Sequence, residues 1–142
     1  MAGLILSCTP PPSANRLWQR TRNGMTKSRE YRAWLISAGW EVKAQQVKAV
    51  GGAVTLTMSV PANGRRDLDN FIKPVCDLLV SLKLIDGDRF KTVKRITMEW
   101  HNKPAMLIQI EPWQTGPAIL EPFDALPEDS LVTGADGSTH LF

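Results

Sequence analysis

Apolar residues follow three different rhythms along this chain, and the rhythm changes at each Pro- or Gly-rich stretch. Leu4-Ile5-Leu6 is a short unbroken apolar run that predicts a buried strand. Thr9-Pro10-Pro11-Pro12-Ser13 ends it, because successive prolines offer no N–H to a strand ladder. From about Thr26 to Val47, the residues Tyr31, Trp34, Leu35, Ala38 and Val42 recur at helical spacing and predict an amphipathic helix, weakened modestly by Gly39. Gly51-Gly52 interrupts the pattern. Val54, Leu56, Met58 and Val60 then alternate with Thr55, Thr57 and Ser59, the signature of a strand with one buried face. Pro61-Ala62-Asn63-Gly64 reads as a turn.

Leu68, Ile72, Val75, Leu79 and Leu82 follow at steps of four, three, four and three, one stripe of a helix. Pro74 deprives the Asn70 carbonyl of a donor and disfavours helical geometry at Lys73, so regular helix is predicted from near Pro74, after an irregular entry. Asp86-Gly87-Asp88 is a second turn. Ile96, Met98 and Trp100, then Met106, Ile108 and Ile110, alternate on either side of Asn102-Lys103-Pro104 and predict an antiparallel hairpin. The sum is an α+β domain, a small mixed β-sheet of about four strands with two helices packed on it. Residues 1–111 form that domain, and residues 112–142 form an acidic tail punctuated by Pro and Gly.

A chain of 142 residues, 43% hydrophobic, is long enough for one real core. Cys8 and Cys76 stand alone in apolar surroundings, and His101 and His140 are isolated, which argues against a disulfide framework, a zinc site or a histidine-driven triad. Met1 to Cys8 is too short for a signal peptide and no apolar run approaches a membrane span, so a cytoplasmic protein is expected. The distribution of charge adds more. Of the 17 Lys and Arg residues none lies beyond Lys103. Residues 1–111, with 9 acids, therefore carry +8, whereas residues 112–142 carry −5. A basic body suits a polyanionic partner, nucleic acid being the commonest, or a merely solvated surface.

Candidate chemistry concentrates in Arg65-Arg66-Asp67-Leu68-Asp69-Asn70-Phe71-Ile72-Lys73 and in Asp88. Clustered carboxylates repel unless a cation sits between them, and guanidinium forks match phosphate oxygens. Acids for a hard metal beside cations for phosphate read as metal-assisted phosphodiester chemistry. Each residue also has a plainer role. Asp67 or Asp69 could cap a helix, and Lys73 could be the middle rung of an Asp69–Lys73–Asp77 surface ladder worth ~0.5 kcal/mol per pair. Arg65 and Arg66 could be exposed cations or a grip on the DNA backbone, and Asn70 could orient an aspartate or cap the helix. Arg16, Arg20 and Arg22 could be a solvated loop or a second phosphate track with Trp18 able to stack, though Trp18 alone suits a core. Asp88 lies beyond a helix-length segment and would join the other acids through the fold or through a symmetry partner.

The run Arg-Arg-Asp-Leu-Asp-Asn-x-x-Lys, an Asp four residues later, and an acidic turn nineteen residues after Asp69 resemble the RusA-type Holliday junction resolvases, as does Pro-Pro-Ser-x-Asn-Arg at Pro11 to Arg16. The resemblance covers roughly residues 3–111. It implies a mixed α/β, homodimeric, Mg²⁺-dependent endonuclease, with Mn²⁺ as a substitute ion, that nicks four-way DNA junctions. It places the catalytic and metal-holding aspartates on Asp67, Asp69 and Asp88 and the essential lysine on Lys73. Arg65, Arg66, Arg16, Arg20 and Asn70 are then the candidate DNA contacts. The chain departs from the family pattern at Gly87, where a second acid often stands beside the last aspartate, and at Pro74. A nuclease for flaps or forks, or a non-catalytic module for branched DNA, are the alternative readings.

Overall fold

The computed structural model describes residues 3–62, 66–115 and 119–120. In chain order the elements are β1 (Leu4–Cys8), β2 (Trp18–Thr21), β3 (Gly24–Lys27), α1 (Arg29–Ala44), β4 (Val54–Pro61), α2 (Ile72–Ser81), β5 (Val93–His101) and β6 (Met106–Pro112). A 3₁₀ turn, Leu68–Phe71, leads directly into α2. The four longer-range strands make one mixed sheet in the order β1-β6-β4-β5, with β4 and β5 parallel and β6 antiparallel to both of its neighbours. This is the α+β architecture anticipated from the sequence.

Each predicted rhythm found its element, although β1, predicted to be buried, is an edge strand with Ile5 exposed. On β4 the residues Val54, Leu56, Met58 and Val60 are fully buried while the alternate residues are not. Leu6 and Cys8 of β1 and Met106, Ile108 and Ile110 of β6 share that face. Tyr31, Trp34, Ala38 and Val42 bury the inner stripe of α1, and Ser28 caps its N-terminus by accepting the Tyr31 N–H at 3.0 Å. The buried face of α2 is wider than the predicted stripe. Phe71, Pro74, Val75, Cys76, Leu78 and Leu79 are buried, whereas Ile72 and Leu82 lie at its border, because α2 packs against both the core and α1. Pro74 falls in the first turn of α2, where backbone N–H groups have no helical partner anyway, so helix starts two residues earlier than predicted.

Two predictions need correction. The β5 and β6 segments form no hairpin, because β4 lies between them. Alternation specifies which face a strand buries, not which strand sits beside it. The connection at 102–105 steps over the end of β4, spanning two strand spacings of roughly 4.8 Å, within the reach of four extended residues. Second, β2 and β3 form a separate two-stranded hairpin turning at Arg22 and Asn23, where a loop and no strand was expected. All four residues of β2 are exposed, so no buried face marks it as a strand. Among the described residues no helix is long and apolar enough to cross a membrane.

Candidate active site

The candidate residues from Arg66 to Lys73 lie where α2 begins. Asp67 occupies the N-cap position of the 3₁₀ turn with extended backbone (φ −97°, ψ 155°), yet its side chain caps nothing. A capping aspartate would have its carboxylate engaged by N–H groups of the turn; the turn is closed instead by the Asn70 N–H donating to the Asp67 carbonyl at 3.1 Å. Asp69 follows inside the turn, and both acids are exposed. Three residues per turn, rather than 3.6, shift Asp69 out of i,i+4 alignment with Lys73. The ladder therefore forms on one side only: the Lys73 ammonium pairs with Asp77 Oδ1 at 3.0 Å and with Asp88 Oδ2 at 3.2 Å.

Asp88 thus reaches the entry of α2 within a single chain. The route is built from local geometry. Lys83 takes a left-handed φ of 59° just after α2, and the N–H groups of Lys83 and Leu84 bond back to the carbonyls of Val80 and Leu79. Leu84 and Ile85 are buried, and the Val50 N–H donates to the Leu84 carbonyl at 2.9 Å. Asp86 Oδ2 accepts the N–H of Gly52 at 2.9 Å, and Gly52 sits at φ 74°, a conformation that favours glycine. Of the two acids in this turn, Asp86 clamps the Gly51-Gly52 bend and Asp88 faces Lys73.

Electrostatics follow the geometry. The bonds to Asp77 first, and to Asp88 second, raise the Lys73 pKa, so the lysine is charged throughout the neutral range. Asp77 also accepts from the hydroxyl of the fully buried Tyr31, at 2.5 Å. Burial first, then that hydrogen bond, push the Tyr31 phenol well up. Arg66 is half-buried with its guanidinium 5.4 Å from the Phe71 ring, and burial lowers its pKa. Phe71 in turn meets Trp100 edge-on at 6.1 Å. Asn70 is partly buried at the end of the turn. Arg65 lies outside the described residues. Arg16 and Arg20 are exposed on a separate element, the base and first strand of the hairpin, and Arg16 pairs with Glu30 at 3.6 Å. Trp18 is not a core residue: it is 40% exposed, with one edge against Tyr31 at 5.9 Å.

Two features escaped sequence reading. Asp77 was a ladder rung and Tyr31 a core residue, and nothing in their spacing shows that one bonds the other across 46 positions. Arg89-Phe90-Lys91 is exposed immediately after Asp88, with Phe90 75% accessible, and the signal available was an aromatic residue between two cations beside an acid.

Among the described residues no three acidic, histidine or cysteine side chains converge closely enough to hold an ion. The donor chemistry nevertheless fits a hard divalent cation. Asp67, Asp69 and Asp88 offer only carboxylate oxygens, and the first two are exposed with Asp67 free of the capping bond its position invites. The family model of the endodeoxyribonuclease RusA matches residues 8–111. The crossover junction endodeoxyribonuclease RusA of Aquifex aeolicus (strain VF5) is 29% identical over 119 residues, an alignment that covers 79% of this chain and 92% of that protein. With the match spanning both acidic turns, Lys73 and nearly the whole of the described fold, the chain belongs to the RusA family of endodeoxyribonucleases.

Proposed function

We propose that this chain cuts four-way DNA junctions by paired, symmetric phosphodiester hydrolysis, as a homodimer that depends on a divalent metal. The observation that supports this reading is the Lys73–Asp88 contact of 3.2 Å, which brings the second acidic turn to the first turn of α2. Asp67, Asp69 and Asp88 would hold Mg²⁺, or Mn²⁺ in its place, and that ion when bound supplies a water of lowered pKa and a Lewis acid for the leaving oxygen. Lys73 offsets the negative charge that builds on the phosphate during in-line attack. Arg66, with Arg65 beside it in sequence and Asn70 at the turn's end, grips the backbone next to the scissile bond, while Arg16 and Arg20 hold a neighbouring stretch. A single subunit supplies one such site, and two symmetric cuts match a two-fold dimer. The sheet face away from the helices is available to a second copy, since Ile5 and Leu107 lie exposed on it.

Cleavage of a synthetic four-way junction, a fork, a flap and a duplex, each with and without Mg²⁺, tests the proposal. Metal-dependent paired nicks confined to the four-way junction are expected. Equal cutting of forks or flaps would replace the junction reading with that of a broader branched-DNA nuclease, and cleavage in chelator would remove the metal. Membership of a nuclease family sets aside the reading as a purely binding module.

A further inference from the structure

We propose that Tyr31 and Asp77 form a rigid bracket that positions Lys73, so that the lysine stays at the site independently of its contact with Asp88. The inference rests on the reading of Lys73 as the residue that offsets phosphate charge. It begins in the core. Tyr31 is fully buried, stacked on Trp34 with ring centroids 6.1 Å apart and met edge-on by Trp18 at 5.9 Å. A ring packed on two sides by aromatics has one rotamer available, so its hydroxyl is a fixed point. That hydroxyl donates to Asp77 Oδ2. The other oxygen, Oδ1, is thereby aimed outward and accepts the Lys73 ammonium at 3.0 Å. Exposure rises in order along the chain of contacts: Tyr31 is at 0%, the Asp77 side chain at 16% and the Lys73 side chain at 57%.

Lysine is a poor choice for a positioned cation unless something holds it, because its four-carbon stem has many rotamers of similar energy. The Asp88 contact cannot be the only restraint, since a carboxylate recruited to other partners at the site releases its ammonium. Asp77 supplies a second restraint, on the same helix and one turn along, and Tyr31 prevents that carboxylate from rotating away. Two acids of one ammonium therefore have separate duties: Asp88 is one of the three acids proposed to hold the metal, and Asp77 is a positioning residue.

Single-turnover cleavage and junction affinity, measured for Tyr31→Phe, Asp77→Asn, Lys73→Ala and the double variant Asp77→Asn with Lys73→Ala, test the bracket. Asp77→Asn still accepts the tyrosine hydroxyl but loses the ion pair, and a rate loss on the order of 10–100-fold is expected, as for other outer-shell partners. Affinity should hold or tighten. Tyr31→Phe should show a smaller loss in the same step. Lys73→Ala should lose about 10²–10³-fold, and in its background Asp77→Asn should cost nothing more, because there is nothing left to position. A structural role would instead lower the melting temperature and slow both backgrounds alike. Wild-type rates for Asp77→Asn beside a crippled Lys73→Ala would overturn the bracket and leave the role of Lys73 intact. Wild-type rates for Lys73→Ala would overturn the role of Lys73 itself.

Discussion

At the scale of single residues, Asp67 and Asp86 show how one residue type is assigned opposite uses by its neighbours. Asp86 is engaged by a backbone N–H of the Gly51-Gly52 bend, whereas Asp67 holds a cap position without capping. The uncommitted acids are the ones to test. Asp69→Asn keeps shape and removes a charge, so cleavage should collapse while junction binding survives or strengthens, as one negative charge facing phosphate is gone. A variant that nicks junctions at the wild-type rate, measured in single turnover, excludes Asp69 from catalysis. The two thiols make a different prediction. Burial pushes Cys8 up to about 12 and Cys76 up to about 11, from an ordinary value of 9.0. An acid whose folded pKa is raised stabilises the fold fully below its unfolded pKa and loses that contribution as pH climbs through the folded value. Stability should therefore decline between about pH 9 and pH 11–12. Denaturant midpoints at pH 8 and pH 10 should differ less in Cys8→Ala than in the parent, and both thiols should resist a thiol reagent at pH 8 until the protein is unfolded.

At the scale of elements, the hairpin of β2 and β3 is the clearest case of local chemistry without a local burial signal. Its root is pinned to α1, where the Ser28 hydroxyl donates to the Arg16 carbonyl at 2.6 Å and the Ser28 N–H to the Leu17 carbonyl at 2.8 Å. Beyond that root it projects Arg20 and Arg22 into solvent. If those side chains touch phosphates, replacing both with Ala should weaken junction binding for every sequence and lower the slope of log affinity against log salt by about 2. The single-turnover rate at saturating enzyme should not change. An unaltered salt slope would mean that the hairpin cations are only solvated. The entry to α2 teaches a related point about elements. The sequence casts Pro74 as an obstacle to Lys73, but a first-turn proline removes no helical hydrogen bond, so the lysine sits in the first turn of α2 unhindered.

At the scale of the whole molecule, charge is segregated along the chain: +8 over residues 1–111 and −5 over residues 112–142. β6 runs to Pro112, the Trp113 N–H donates to the Ala53 carbonyl at 2.8 Å, and Arg95 lies 5.2 Å from the Trp113 ring. A truncation that spares these contacts isolates the charge effect. Deleting residues 116–142 removes all five acids of that segment. Junction affinity should rise at low salt, where the Debye length is ~30 Å at 0.01 M, and approach that of the full chain near 0.15 M, where it is ~8 Å. Equal affinity at both salts would exclude an electrostatic role. A fall in melting temperature in the same truncated protein would show instead that Ile119, Leu120 or their neighbours cover apolar surface.

What the sequence determined by itself was whatever depends on near neighbours. The alternation of Val54 to Val60, the stripe from Tyr31 to Val42, and the breaks at Pro10–Pro12 and Gly51-Gly52 placed β1, β4, α1, α2, β5 and β6, because backbone period and turn chemistry act over a few residues. The acids and cations from Arg65 to Lys73 were legible for the same reason. The tertiary structure alone decided which strands pair, since a buried strand such as β4 satisfies both edges with whichever neighbours the crossovers deliver. It alone brought Asp88 to Lys73 and Tyr31 to Asp77, contacts across 15 and 46 positions. Such contacts depend on where a packed core lets the chain return, and no local period records that.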